Sequence, residues 1–232
     1  STCASMDYRD KRLRTSIHIR HGADSIVVDT GPDFRQQMLR ERINRLDAVV
    51  FTHAHKDHTA GLDDVRSYNF LQQCDMPVFG QQDVLDQLRK EFAYAFAEHQ
   101  YPGTPRLALN RIDHEPFVAG STRFIPLPVR HLHLEVLGFR IGDFAYITDA
   151  NFIPDTTYAL LEGVKVLVLN ALQVEPHVSH FNLEQAIEVA RRIGAGATWF
   201  THISHKLGLH GKVESKLPPE IRLAWDGLKI SC

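Results

Sequence analysis

The stretch FTHAHKDHTAGLDD, residues 51–64, sets three histidines and an aspartate within six positions, directly behind the apolar run LDAVVF. No other feature constrains the chain as much. In extended backbone, residues two apart point the same way, so His53 and His55 converge at the end of a short buried strand. Asp57 and His58 follow where the chain turns into a helix, and face a second point nearby. Imidazole and carboxylate ligands suit zinc, manganese or iron rather than calcium. Two such ions close together hold a bridging hydroxide and clamp a phosphoryl or acyl oxygen. A solvated loop after a strand is the alternative reading. It would account for a single histidine pair but poorly for the whole pattern.

The pattern needs further ligands, and the chain has them to offer. It carries 14 histidines, and eight of them fall in three groups, 53/55/58, 131/133 and 202/205/210. The bulk composition is otherwise that of an ordinary globular chain. The 26 basic residues nearly balance 28 acidic ones, for a net charge of −2, which argues against a broad nucleic-acid-binding surface. Three cysteines, Cys3, Cys74 and Cys232, are too few and too odd a number for a disulfide framework, and fit a reducing cytoplasm. No apolar run has the length of a membrane span, and no signal peptide precedes the first strand. The expectation is a cytoplasmic protein without a membrane partner.

Strands and helices alternate along the chain. TSIHIR, SIVVDTG, LDAVVF and MPVFG read as strands, and DFRQQMLRER and LDDVRSYNFLQQ as helices. A long amphipathic helix is expected over residues 82–99, ended by the prolines and glycine of QYPGTPR. LALNRID, TRFIPLPV, EVLGFRIG and DFAYITD make the middle strand-rich, followed by the strands KVLVLN and ATWFTH. The clearest helix covers 182–193. Asn182 and Gln185 form a capping box, one apolar stripe runs from Leu183 to Ile193, and Gly194 stops it. The pattern indicates an α/β (α+β) fold of mixed sheets covered by helices.

The His53-x-His55-x-Asp57-His58 motif resembles the signature of the metallo-β-lactamase superfamily. The blocks VVDTGPDFR, FTHAHKDHTAGLDDVR, VLGFRIGDFAYITDA, SHFNLEQA and FTHISHKLG extend the resemblance to the branch that includes phosphoribosyl cyclic phosphate phosphodiesterase of carbon–phosphorus lyase pathways and ribonuclease Z. The resemblance implies a single domain over residues 1–232, a four-layer αβ/βα sandwich whose opening strand would lie before Ser1. It implies two divalent ions, zinc or manganese. His53, His55 and a later histidine would hold one, Asp57, His58 and His202 the other, and Asp149 would bridge them. The later histidine is His131 or His133, which share a strand with period two. His131 is preferred for its spacing to VLGFRIG. His180 would assist phosphodiester cleavage, with His177 as the runner-up. Asp29 would orient the metal loop, although turn chemistry alone would also place an aspartate there. Cys3 and His205 would belong to an additional structural zinc; an ordinary buried thiol is the alternative for Cys3.

The function implied is hydrolysis of a small, cyclic phosphodiester by a metal-bridging hydroxide, with Asp57 and His180 as catalytic groups. A thioester or lactone hydrolase is the second reading, since the same ion pair polarises a carbonyl. A tRNA 3'-processing nuclease would need the protruding basic, glycine-rich arm that this chain lacks, so nucleic acid is not the expected partner. A non-catalytic metal-binding protein would have lost ligands. A diiron redox protein would carry glutamate at position 55. Residues 82–99 and QYPGTPR are read as a lid, with Arg106 or Arg130 as phosphate contacts. The resemblance also makes a homodimer an expectation.

Overall fold

The computed structural model describes residues 2–232, which divide into two units. The first, Arg14–Phe124, is built on a five-stranded sheet in the order β1-β2-β3-β4-β5. Its elements run β1 (Ile17–His21), β2 (Asp24–Val28), α1 (Phe34–Arg40), β3 (Ala48–Val50), α2 (Lys56–Thr59), α3 (Arg66–Gln72), β4 (Met76–Gly80), α4 (Gln82–Glu91), β5 (Leu107–Arg111) and β6 (Phe117–Ala119). β1 and β2 form an antiparallel hairpin, and β2 to β5 are all parallel. β3 is fully buried and apolar, as expected of a strand covered on both faces. Val27, Val49, Phe51, Leu62, Val78 and Leu88 lie in the core of this unit. β6 pairs with the opening residues of β7 (Thr122–His131).

The second unit comprises the N-terminal residues through Leu13 and Ile125–Cys232. After β7 come β8 (Leu134–Ile141), β9 (Phe144–Ile147), α5 (Asp155–Leu160), β10 (Val166–Asn170), α6 (Leu183–Ile193), β11 (Ala197–Thr201), α7 (His210–Glu214) and β12 (Ile221–Leu223). β7, β8 and β9 are antiparallel, and β9, β10, β11 and β12 are parallel. α6 has the expected capping box: Gln185 N–H donates to Asn182 Oδ1 at 2.9 Å, and Asn182 N–H donates to Gln185 Oε1 at 3.1 Å. Gly194 ends the helix at φ 71, where a side chain would be strained.

Two local expectations change. The helix expected over 82–99 stops at Glu91, and a single 3₁₀ turn, Ala93–Ala95, follows. Val84, Leu85, Leu88, Phe92 and Ala95 are all buried, so the apolar stripe runs on past the true helix end. Periodicity alone cannot see such a change of helix type. The second correction concerns position 133. His131 pairs with Leu134, so Leu132 and His133 form a two-residue turn rather than one strand with His131. Leu132 takes φ 57, His131 is buried and His133 is exposed. Among the described residues no helix is long and apolar enough to cross a membrane.

Candidate metal centre

Each unit gathers potential ligands at the carboxyl ends of its parallel strands. In the first unit the chain leaves β3 through Phe51 and Thr52, passes His53 and His55, and enters α2 with Asp57 and His58. This loop is pressed against the turn after β2. Thr30 N–H donates to the His58 carbonyl at 2.7 Å, and Gly61 N–H donates to the Thr30 carbonyl at 2.8 Å. A Cβ on Gly31 would run into the Asp57 carbonyl oxygen, and one on Gly61 into the Gly31 carbonyl. The approach requires glycine at both positions.

Asp29 stands at the centre of this packing. Its carboxylate accepts from the Thr52 N–H at 2.9 Å, from the Thr52 hydroxyl at 2.8 Å and from His58 Nδ1 at 2.7 Å. The Thr52 hydroxyl, having donated its proton to Asp29, is left to accept from His53 Nδ1 at 2.9 Å. Both imidazoles thus carry their proton on Nδ1 and present Nε2 as a ligand atom. An acceptor behind a ligand histidine fixes ring and tautomer in this way. His53 Nε2 and His55 Nδ1 are 3.0 Å apart, and Asp57 Oδ2 is 3.8 Å from His58 Nε2. His58 and His53 are buried; Asp57 is half-buried and His55 exposed.

In the second unit, Asp149 follows β9, His202 follows β11, His131 ends β7 and His180 sits three residues before α6. Asp149 Oδ1 is 2.9 Å from His202 Nε2 and 3.7 Å from His180 Nε2, and accepts from the Thr148 hydroxyl at 2.9 Å. His131, Asp149 and His180 each offer one ligand atom, all within 4.8 Å of one another. His131 Nδ1 donates to the Ser179 carbonyl at 2.8 Å, which leaves its Nε2 to face the cluster. Asn170 on β10 brackets Ala150, the residue after Asp149, donating to its carbonyl and accepting from its N–H at 2.9 and 2.8 Å.

Asn151 ties the supporting loops together. It accepts from Leu132 N–H at 2.8 Å and donates to the Val178 carbonyl at 3.1 Å. His180 Nδ1 lies 3.0 Å from the Ser179 hydroxyl and 3.3 Å from His177 Nδ1. His177 is exposed, and its pKa is held below the usual histidine value by partial desolvation, with the neighbouring His180 and Lys206 adding to the effect.

The donor set fits a divalent cation: imidazoles and carboxylates lie together, and the far nitrogens of His53, His58 and His131 are held by acceptors. Three site residues, Asp29, Asp149 and His202, adopt left-handed backbone at φ 65, 55 and 52. Strain of this kind collects at functional positions.

Other expected residues lie elsewhere. Thr2 donates to the His205 carbonyl at 3.1 Å, which brings the N-terminal residues beside that segment. Cys3 and His205 are both exposed, so the expected buried thiol is not found, and neither belongs to a group of three ligands among the described residues. Arg106 is engaged within the first unit, with Asp75 at 3.3 Å and the Asn69 carbonyl at 3.3 Å. Arg130 is exposed. Sequence reasoning passed over Thr52 and Asn151. Thr52 adjoins the motif and could have been suspected from that position. Asn151 acts across loops distant in sequence and left no local signal.

Comparison with known proteins places these residues in context. The beta-lactamase superfamily domain matches residues 24–203. The octanoyltransferase of Porphyromonas gingivalis strain W83 is 39% identical over 230 residues, which is 98% of this chain but 46% of that protein. The chain thus spans about half the length of that relative. The ribonuclease Z of Mycobacterium sp. strain KMS is 24% identical over 227 residues, covering 83% of this chain and 78% of the enzyme. A solved structure of a new diphosphatase from the PhnP family is 37% identical, with a TM-score of 0.93, over 100% of this chain and 89% of that one.

Proposed function

The chain belongs to the beta-lactamase superfamily, and on that premise we propose that it is a metal-dependent phosphoester hydrolase whose substrate is a small, cyclic phosphodiester. One observation carries the reading: His180 Nε2 is buried without a hydrogen-bond partner 3.7 Å from Asp149, in a chain 37% identical to a diphosphatase along its whole length.

Under this proposal His53, His55, Asp57, His58, His131, Asp149 and His202 would hold two divalent ions. Such a pair, when bound, supplies Lewis acidity toward phosphoryl oxygens and activates water for attack. The chain's own residues do the rest. Asp29 and Thr52 hold the rings of His58 and His53. Ser179 holds His131 through its carbonyl, and its hydroxyl, 3.0 Å from His180 Nδ1, is placed to donate to it under this proposal. That leaves the His180 proton on Nε2, the atom beside Asp149. His180 then donates this proton to the oxygen that departs from phosphorus.

A second reading follows from the diphosphatase relative: cleavage of a P–O–P anhydride in place of a P–O–C ester. Attack at phosphorus and protonation of the departing oxygen serve both bonds. The test is hydrolysis of bis(p-nitrophenyl) phosphate and of a dinucleoside diphosphate by metal-stripped protein reloaded with zinc or manganese. Metal-dependent turnover that vanishes in Asp57→Ala and falls about a hundredfold or more in His180→Ala supports the proposal. The preferred substrate then chooses between ester and anhydride. Bound metal with turnover of neither substrate overturns it in favour of an acyl hydrolase.

A further inference from the structure

We propose that His177 is a positioning residue for the proton donor His180 and acts on it through Ser179, which rests on the phosphoester reading above. The chain between β10 and α6 makes a loop closed at its base, where Leu172 N–H donates to the Phe181 carbonyl at 3.0 Å and Leu183 N–H to the Gln173 carbonyl at 2.9 Å. Residues 174–178 beyond that closure are all exposed. A surface loop keeps a side chain at a fixed point only where its own contacts hold it there.

His177 supplies such a contact. Although exposed, its ring folds back on the loop. Ser179 N–H donates to its Nδ1 at 3.4 Å, and the Ser179 hydroxyl lies 3.4 Å from the same atom. A peptide N–H can only donate, so this Nδ1 carries a lone pair. The His180 ring is 5.1 Å away at 61°, with its Nδ1 3.3 Å from that of His177. Two lone pairs repel at that separation unless a proton lies between them. The Ser179 hydroxyl, 3.0 Å from His180 Nδ1, is within reach of both nitrogens and supplies it.

Ser179 therefore works in two directions. His177 takes its N–H, and its carbonyl accepts from His131 Nδ1 at 2.8 Å. Freeing the N–H lets the peptide turn and carry the hydroxyl away from His180. The separations of 3.3 and 3.4 Å are long for hydrogen bonds, so the expected consequence is a several-fold loss of rate, well short of the loss on removing His180 itself.

The test compares diphenyl phosphate with bis(p-nitrophenyl) phosphate on the zinc-loaded protein. Phenolate is the poorer leaving group and needs the donated proton more. His177→Leu should lower kcat on diphenyl phosphate by about three- to tenfold, leave KM and bound zinc as in the native protein, and change turnover of bis(p-nitrophenyl) phosphate by less than about twofold. His177→Asn, whose amide oxygen sits where Nδ1 stands, should recover most of the loss. Falls of equal size on both substrates, or an asparagine variant no better than the leucine one, overturn the positioning role. Magnetic resonance spectra of protein labelled at the histidine nitrogens give a readout free of turnover, with the His180 ring assigned from its loss in His180→Gln. Its signals should shift or broaden in His177→Leu and return in His177→Asn. Unmoved signals overturn the positioning role whatever the kinetics. Signals that move and return in this way, in a protein that hydrolyses neither substrate, would uphold the positioning of His180 and overturn the phosphoester reading alone.

Discussion

Asp29 Oδ2 lies 2.7 Å from His58 Nδ1, and both side chains are almost wholly shielded, at 0% and 1% exposure. A buried carboxylate is costly unless its oxygens are satisfied, and here three donors from two residues do so. Asp29→Asn keeps a residue that tolerates φ 65 and removes only the charge and one acceptor. Affinity for zinc, followed by competition with a chromogenic chelator, should fall by about 10- to 100-fold while circular dichroism stays unchanged. Undiminished affinity would show that Asp29 merely shapes the turn.

Asn151 reaches two loops at once, and these carry His131 and His180. Replacing it with alanine removes both hydrogen bonds without touching a ligand. Turnover should fall by about tenfold or more, since small displacements of a proton donor weigh heavily on the rate. Metal content should stay as in the native protein. The effect should appear in kcat and leave KM nearly unchanged. A variant that loses metal and turnover together would instead mark Asn151 as part of the general scaffold.

Much of this arrangement is legible in the sequence, and the illegible parts have a common cause. The motif at 53–58 is contiguous, so spacing alone exposes it. α6 announces itself through Asn182, Gln185 and Gly194, because capping is local chemistry. His131 and His133 could not be separated by period-two reasoning, since that assumes one continuous strand. A turn with Leu132 at φ 57 breaks the assumption without any glycine to signal it. The apolar stripe over 82–99 outruns α4 for a related reason: such a stripe reports burial, not helix type. Asn151, Asn170 and the Ser179 carbonyl work through tertiary contact, and no residue pattern records a contact before the chain has folded.

Metal removal should destabilise the protein as well as inactivate it. A ligand that binds only the folded state adds stability by mass action, about 2.7 kcal/mol at a hundredfold excess over Kd. His53 and His55 bring ring nitrogens to 3.0 Å from each other, where a bound cation would join them. Scanning calorimetry should therefore show a lower Tm after chelation, restored by zinc or manganese but not by calcium, which prefers an all-oxygen shell. A Tm indifferent to chelation would argue that no cation is held at these ligands.

Acid sensitivity should arise partly at His210, away from the metal ligands. Its ring is fully buried, Arg12 Nη2 lies 3.0 Å from Nδ1, and Glu214 Oε2 lies 3.2 Å from Nε2. An arginine can only donate, so Nδ1 accepts and the imidazole is neutral, with its proton on Nε2. Burial holds the pKa below 6.5; Arg9 and Arg12 push the same way, and Glu214 opposes them. The unfolded chain therefore takes up a proton near 6.5 that the folded chain refuses. Stability contributed by this histidine is complete above that pH and declines as pH falls from about 6.5 toward the lower folded-state value. Tm measured between pH 7.5 and 5 should drop on acidification, and the drop should be shallower in His210→Gln, which cannot be protonated. Glutamine is chosen because its amide still offers a donor toward Glu214 and an acceptor toward Arg12. Parallel Tm curves for the two proteins would remove His210 as a source of the acid response.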